Sequence, residues 1–201
     1  MNNGLMLIVS GPSGSGKDTL ISHLMNELDH IKYSISATTR APRDNEVDGV
    51  SYFFVDKAEF QAMIDQGDLL EWAKIYDDYY GTPRRYVSEA IAQGYDVILK
   101  IDVQGAGKLR ATGEDGVFIF IAPPSMEELK RRIVARGTES PAAVDKRFRT
   151  AVGEIQEGRS YDYIVINEEI PHAVEQLKAI ILAEKCRVKN QQHLFDVLIE
   201  D

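Results

Sequence analysis

The apolar run Leu5-Met-Leu-Ile-Val9 leads directly into Gly11-Pro-Ser-Gly-Ser-Gly-Lys-Asp18, and a helical pattern of Leu20, Ile21, Leu24, Met25 and Leu28 follows. A short continuous apolar run reads as a strand buried on both faces. Strand, glycine-rich turn and helix in this order point to an α/β architecture with its ligand site at the end of the strand. The glycines let backbone N–H groups turn inward around an anion, and the helix N-terminus adds partial positive charge. Gly11, Pro12, Ser13, Gly14, Ser15 and Gly16 form the cradle, and Lys17 stands where the motif's lysine reaches the β/γ-phosphates of a nucleotide.

One position departs from the common pattern. The motif ends Gly-Lys-Ser/Thr, with the hydroxyl on Mg²⁺; here Asp18 follows Lys17, and Thr19 comes one residue later. Thr19 is not equivalent, because one helical step turns a side chain by about 100°. Two readings of Asp18 stand. Its carboxylate is a hard oxygen ligand that suits Mg²⁺, directly or through water. Alternatively, it only favours the helix N-terminus electrostatically.

The chain of 201 residues is long enough for one good core with appended lobes. Its net charge of −9 argues against nucleic-acid binding through a basic surface, so anion binding falls to local arginine clusters. The single cysteine, Cys186, allows no intrachain disulfide and fits a reducing compartment. No apolar run approaches the roughly 20 residues of a membrane span, and no signal sequence is evident. A cytoplasmic protein without membrane or nucleic-acid partners, monomeric or homodimeric, is the expectation.

Leu5–Ser10, Asp96–Ile101, Val117–Ile121 and Tyr163–Asn167 read as buried parallel strands, with a shorter fifth around Lys32–Ser36. Between them the region from about 37 to 94 differs. Val50–Val55 alternates, Asp68–Ile75 suits a half-exposed strand, and a helix over Lys57–Gln66 ends at Gly67. After Pro123-Pro124, Ser125-Met-Glu-Glu128 reads as a capping box for a helix to about Arg136, ended by Gly137. Ser140-Pro141 start another helix with Val144, Phe148, Val152 and Ile155 on one face. A last helix begins near Pro171 and uses Val174, Leu177, Ile180 and Ile181, and the tail after Arg187 is expected to be polar and frayed. The expected plan is a core of about 1–36, 95–124 and 157–187, an inserted lobe at 37–94, a helical lid at 125–156 and a tail at 188–201.

Further blocks follow in order: Ser36-Ala-Thr-Thr-Arg-Ala-Pro-Arg43, Asp48-Gly-Val-Ser-Tyr-Phe-Phe54, Leu70-Glu-Trp72, Tyr79-Tyr-Gly-Thr82, Ile101-Asp-Val-Gln-Gly105, Ile121-Ala-Pro-Pro-Ser125 and Arg136-Gly-Thr-Glu139. With the phosphate loop, this series resembles the guanylate kinase family of P-loop nucleoside monophosphate kinases. The resemblance implies a P-loop-type parallel sheet with an inserted GMP-binding lobe and a helical lid. It implies transfer of the γ-phosphate of Mg·ATP to GMP, a step of purine metabolism.

The resemblance also assigns roles. Arg40 and Arg43 match an acceptor-phosphate clamp, completed by Ser36, Tyr52 and Tyr80; planar guanidinium groups suit bidentate phosphate recognition. Glu71 matches the reader of guanine, whose N1–H and N2 amine offer two adjacent donors to one carboxylate. Adenine presents an unprotonated N1 there and is repelled. Thr82 matches a hydroxyl that contacts the base. Asp102 ends the run Val97–Ile101 and matches a Mg²⁺-organising carboxylate close to the guanine, with a helix N-cap as the plainer reading. Arg132, Arg136 and Arg147 match lid arginines that stabilise charge on the transferring phosphoryl group. Arg131 and Arg149 read as solvated. Asn167 matches a position near the donor adenine.

Two rival readings are weighed against this one. Ribose 1,5-bisphosphate phosphokinases share the fold, and some share the Gly-Lys-Asp ending, yet a sugar bisphosphate has no use for Glu71. A non-enzymatic binding module typically lacks a working P-loop, whereas Gly16-Lys17 is intact here.

Overall fold

The structure, a computed structural model, describes residues 4–75, 77–135 and 141–199. Strand β1 (Met6–Ser10) occupies the middle of a five-stranded sheet. Its neighbours are β7 (Asp96–Lys100) and β8 (Val117–Ala122), and the outer strands are β2 (Ile31–Tyr33) and β9 (Tyr163–Ile166). All pairs in the order β2-β7-β1-β8-β9 are parallel. The C-terminal ends of β1, β7 and β8 therefore open on the same edge.

Alternation of side chains along β1 feeds two cores. Leu7 and Val9 join Leu20 and Leu24 of α1 (Lys17–Glu27) and Val174, Leu177 and Ile181 of α7 (Ile170–Lys185) on one face. Met6 and Ile8 meet Val87 and Ala90 of α3 (Arg84–Ala92), with Ala106 and Leu109 of α4 (Val103–Ala111), on the other. Burial on both faces explains why these strands are unbroken apolar runs.

A second sheet of order β4-β3-β6-β5 holds β3 (Ala37–Thr38), β4 (Phe53–Phe54), β5 (Leu69–Ile75) and β6 (Asp78–Pro83). It packs on α2 (Lys57–Asp65), whose Phe60 lies between Ala37 and Leu69 and stacks on Tyr79 at 5.5 Å. Helices α5 (Met126–Ala135) and α6 (Pro141–Glu157) pair through Leu129, Ile133 and Ala151, with Val144, Phe148 and Ile155 packed around them.

Several expectations change. The alternating Val50–Val55 segment is strand only at Phe53–Phe54; Val50 is exposed, and Asp48 and Tyr52 form an isolated bridge. Met25 and Val152, expected on apolar faces, are exposed. The capping box is half formed. Glu128 N–H donates to Ser125 Oγ at 3.1 Å, while the Glu128 carboxylate turns to Arg131 and Arg132. The tail is not a polar fray: α8 spans Gln192–Ile199 and exposes Leu194, Phe195, Val197 and Ile199. Arg136, Gly137 and Ser140 lie outside the described residues.

Phe60 is the keystone of the small sheet. Truncation of a fully buried phenylalanine costs about 3–5 kcal/mol, so Phe60→Ala should lower the urea unfolding free energy by that order. An unchanged unfolding midpoint would contradict this packing.

Candidate active site

Ser10 ends β1, and the chain turns at once through Gly11–Gly16 into α1. Gly16 takes a left-handed φ of 87° as the N-cap residue, and a Cβ there would lie 2.2 Å from Asn167 Nδ2. Glycine is therefore required twice over, by conformation and by space. Asn167, just past β9, is buried and donates from Nδ2 to the Ser15 carbonyl at 2.7 Å. Its backbone N–H bonds Ala122 of β8 at 2.8 Å, and its carbonyl accepts from Arg132 Nη2 at 3.0 Å. Asn167, expected beside the adenine, is thus first a brace under the phosphate loop.

Lys17 Nζ donates back to the carbonyls of Gly11 and Pro12, at 2.5 and 3.1 Å. A cleft of about 270 Å³ beside the loop is lined by Gly11, Ser13, Lys17, Asp18, Asp102 and Glu154, among others. A second cleft, about 470 Å³, opens between Gly16, Thr19, Arg132, Asn167 and Ile170. Arg132 enters it from α5, held at Nε by Glu128 at 2.7 Å. Arg131 and then Arg132 hold the Glu128 carboxyl down at about 2. Arg131 is largely exposed, in agreement with its solvated reading. Arg147 lies on α6.

The residues expected to clamp an acceptor phosphate lie on or beside the small sheet. Arg40, just past β3, sits 5.5 Å from the Tyr52 ring, and the Tyr52 and Tyr80 rings are 6.1 Å apart. Arg40 Nη2 donates to Glu46 at 2.8 Å, and Arg43 presents its backbone N–H to the same carboxylate at 2.8 Å. Arg40 and Arg43 accordingly push the Glu46 carboxyl below its usual range, Arg40 foremost. Arg43 is exposed on that turn, and Ser36 lies half-buried one residue before β3.

Glu71, on β5, is half-buried. The buried Thr82 of β6 donates its hydroxyl to Glu71 Oε1 at 2.7 Å. The other oxygen faces Gly105, where a Cβ would come within 3.2 Å. Desolvation raises the Glu71 carboxyl above its ordinary value; the Thr82 hydrogen bond and Lys108 oppose this, and the neighbouring Asp102 adds to it. Asp102 is the N-cap of α4, accepting from Gly105 N–H at 2.7 Å, so the plainer reading of this residue holds, while it also lines the cleft beside the loop.

Three side chains at these sites escaped the reading of the sequence. Glu46 stands three residues after Arg43. Glu154, two turns after Arg147 on α6, accepts the Ser13 N–H at 3.4 Å; burial raises its carboxyl, against the pull of that amide and of Lys17. Lys100, the last residue of β7, forms an ion pair with Asp18. Burial works to lower the Lys100 ammonium, yet Asp18 and Tyr33 together hold it above its usual value. The only signal for Lys100 was a lysine closing an apolar strand beside the loop.

The parallel sheet and its glycine-rich loop place the chain among P-loop nucleotide-binding proteins. The family model described as guanylate kinase matches residues 3–184. A guanylate kinase of Desulfitobacterium hafniense (strain Y51) is 53% identical over 194 residues, covering 96% of this chain and 97% of that protein. One from Caldanaerobacter subterraneus subsp. tengcongensis is 51% identical, covering 96% and 93%. The crystal structure of guanylate kinase from Anaplasma phagocytophilum superposes with a TM-score of 0.69 at 35% identity, covering 92% of this chain and 88% of that one. The chain belongs to the guanylate kinase family.

The raised Glu71 carboxyl gives a pH test. Its neutral form persists to higher pH than an ordinary glutamic acid, and only the carboxylate accepts two guanine donors. Under the guanine-reading role that the resemblance implies for Glu71, the ratio of GMP to AMP affinity should fall with decreasing pH, beginning above the ordinary value of 4.5. Both nucleotides carry the same phosphate, so its titration cancels in the ratio. A ratio flat down to pH 4.5 would contradict the assignment.

Proposed function

We propose that this chain binds Mg·ATP across the loop Gly11–Thr19 and GMP on the small sheet, and transfers the γ-phosphoryl group between them to give ADP and GDP. The observation that carries the reading is Glu71. A desolvated carboxylate, oriented by Thr82 and close to Asp102, is costly to keep unless a ligand supplies two donors. Guanine does so.

The acceptor phosphate takes the place of the Glu46 carboxylate on Arg40 and the adjoining turn, with Arg43, Ser36, Tyr52 and Tyr80 around it. Tyrosine hydroxyls orient it without adding charge. The donor phosphates lie in the loop, where backbone N–H groups and Lys17 receive them. The adenosine end extends into the cleft of Thr19, Arg132, Asn167 and Ile170. A phosphate oxygen of GMP attacks the γ-phosphorus as its bond to the ADP oxygen breaks. That oxygen is already ionised near neutral pH, so no general base is assigned, and positioning with charge neutralisation suffices. Arg132 and Arg147 face the charge that spreads over the equatorial oxygens; Arg136 belongs to the same proposal. Closure of the lobe and the lid expels water and protects ATP from hydrolysis.

No group of three His, Cys, Asp or Glu side chains able to cage a metal occurs among the described residues. That suits Mg²⁺, which keeps waters and takes one or two carboxylates with substrate phosphates. Asp18 and Asp102 would hold it, through water where the reach is long. When bound with ATP it neutralises phosphate charge. No helix among the described residues is long and apolar enough to cross a membrane, and a cytoplasmic enzyme is the reading we favour. Asp18 is the best argument for the rival sugar-bisphosphate kinase, but that reading leaves Glu71 and Thr82 without a task.

Two variants separate the sites. Glu71→Gln should cut the preference for GMP over AMP by about tenfold or more, the order of a charged hydrogen bond, and leave the ADP Kd unchanged. An unaltered preference would remove Glu71 as the reader. Lys17→Ala should lower kcat by at least about a hundredfold, within the range of a lost charge-stabilising donor; normal turnover would remove the loop from the reaction.

A further inference from the structure

An aspartate after Gly16-Lys17 sets a negative charge beside a cradle built for phosphates. In this chain that charge has a partner from another strand. Asp18 begins α1 and Lys100 ends β7, and their side chains form a direct ion pair. Both line the cleft that also contains Gly11, Ser13 and Lys17. Lys100 Nζ lies 5.8 Å from the ring centre of Tyr33, on the neighbouring strand β2. A pair this exposed adds little to folding stability. Its effect falls on charges that enter the cleft.

We propose that Lys100 is the residue that makes an aspartate workable at the end of this phosphate loop: its ammonium offsets the Asp18 carboxylate, which would otherwise repel the donor nucleotide. Lys100 is a positioning residue in this scheme, acting through Asp18. The position after the lysine of the motif ordinarily bears a neutral hydroxyl, so no such partner is needed there. The proposal rests on the reading of Gly11–Asp18 as the donor-phosphate site.

The test is a two-residue cycle read by calorimetric ADP binding, with and without Mg²⁺. Lys100→Met should weaken Mg²⁺-free ADP binding about tenfold, equivalent to about 1.4 kcal/mol, and weaken it less when Mg²⁺ is present, because the cation also offsets Asp18. Asp18→Ser in the same chain should restore affinity to within about threefold of wild type. Lys100→Arg should retain wild-type affinity, since it keeps the charge. Unchanged binding in Lys100→Met would overturn the proposal, as would a double variant no better than Lys100→Met alone. Lys17→Ala serves as the control on the premise. If it keeps both normal ADP affinity and normal turnover, the loop is not the donor site, and both readings fall together. If it loses ADP while Lys100→Met does not, only the role of Lys100 falls.

Discussion

The buried amide of Asn167 under the phosphate loop is the contact on which the rest of the site depends. One side chain joins the loop after β1 to the end of β9, while its backbone reaches β8 and Arg132 of α5. Loop conformation, sheet edge and lid arginine are therefore set together. The same contact explains Gly16, since any Cβ would strike the amide. Backbone N–H groups can be aimed at an anion in advance only if the loop is held from below, and preorganisation of this kind is what an electrostatic site requires.

Charge is arranged in a consistent way on the small sheet and around the cradle. Arg40 rests on Glu46, the Ser13 amide faces Glu154, and Lys100 holds Asp18. Each of these three donors already has a carboxylate partner. A phosphate arriving at any of these donors would therefore compete with a carboxylate rather than with water alone. Glu71 differs: its partner is the neutral Thr82, and desolvation leaves its charge poorly compensated.

The parallel sheet was legible because burial on both faces demands continuous apolar strands, and four such runs stand out in the sequence. The loop was legible because a strand, closely spaced glycines and Lys17 in that order together specify a phosphate cradle. Helix α8 was not; its Leu194, Phe195, Val197 and Ile199 are exposed. The strand expected over Val50–Val55 failed because alternation reports a half-buried surface only when a partner strand runs alongside, and β3 is two residues long. The arginines, Glu71 and Thr82 could be assigned by resemblance, but the partners of Asp18 and Ser13 could not. Asp18 and Lys100 are 82 residues apart, and Ser13 and Glu154 are 141 apart. Contacts over such separations leave no local pattern to read.

The most direct test of the account is ADP release from Mg·ATP with GMP, AMP and ribose 1,5-bisphosphate offered singly as acceptors. Turnover with GMP, and little or none with the other two, is the result that a carboxylate reader opposite an Asp-ended phosphate loop predicts. Comparable turnover with the sugar bisphosphate would contradict it, because that acceptor has no base for Glu71 to hold.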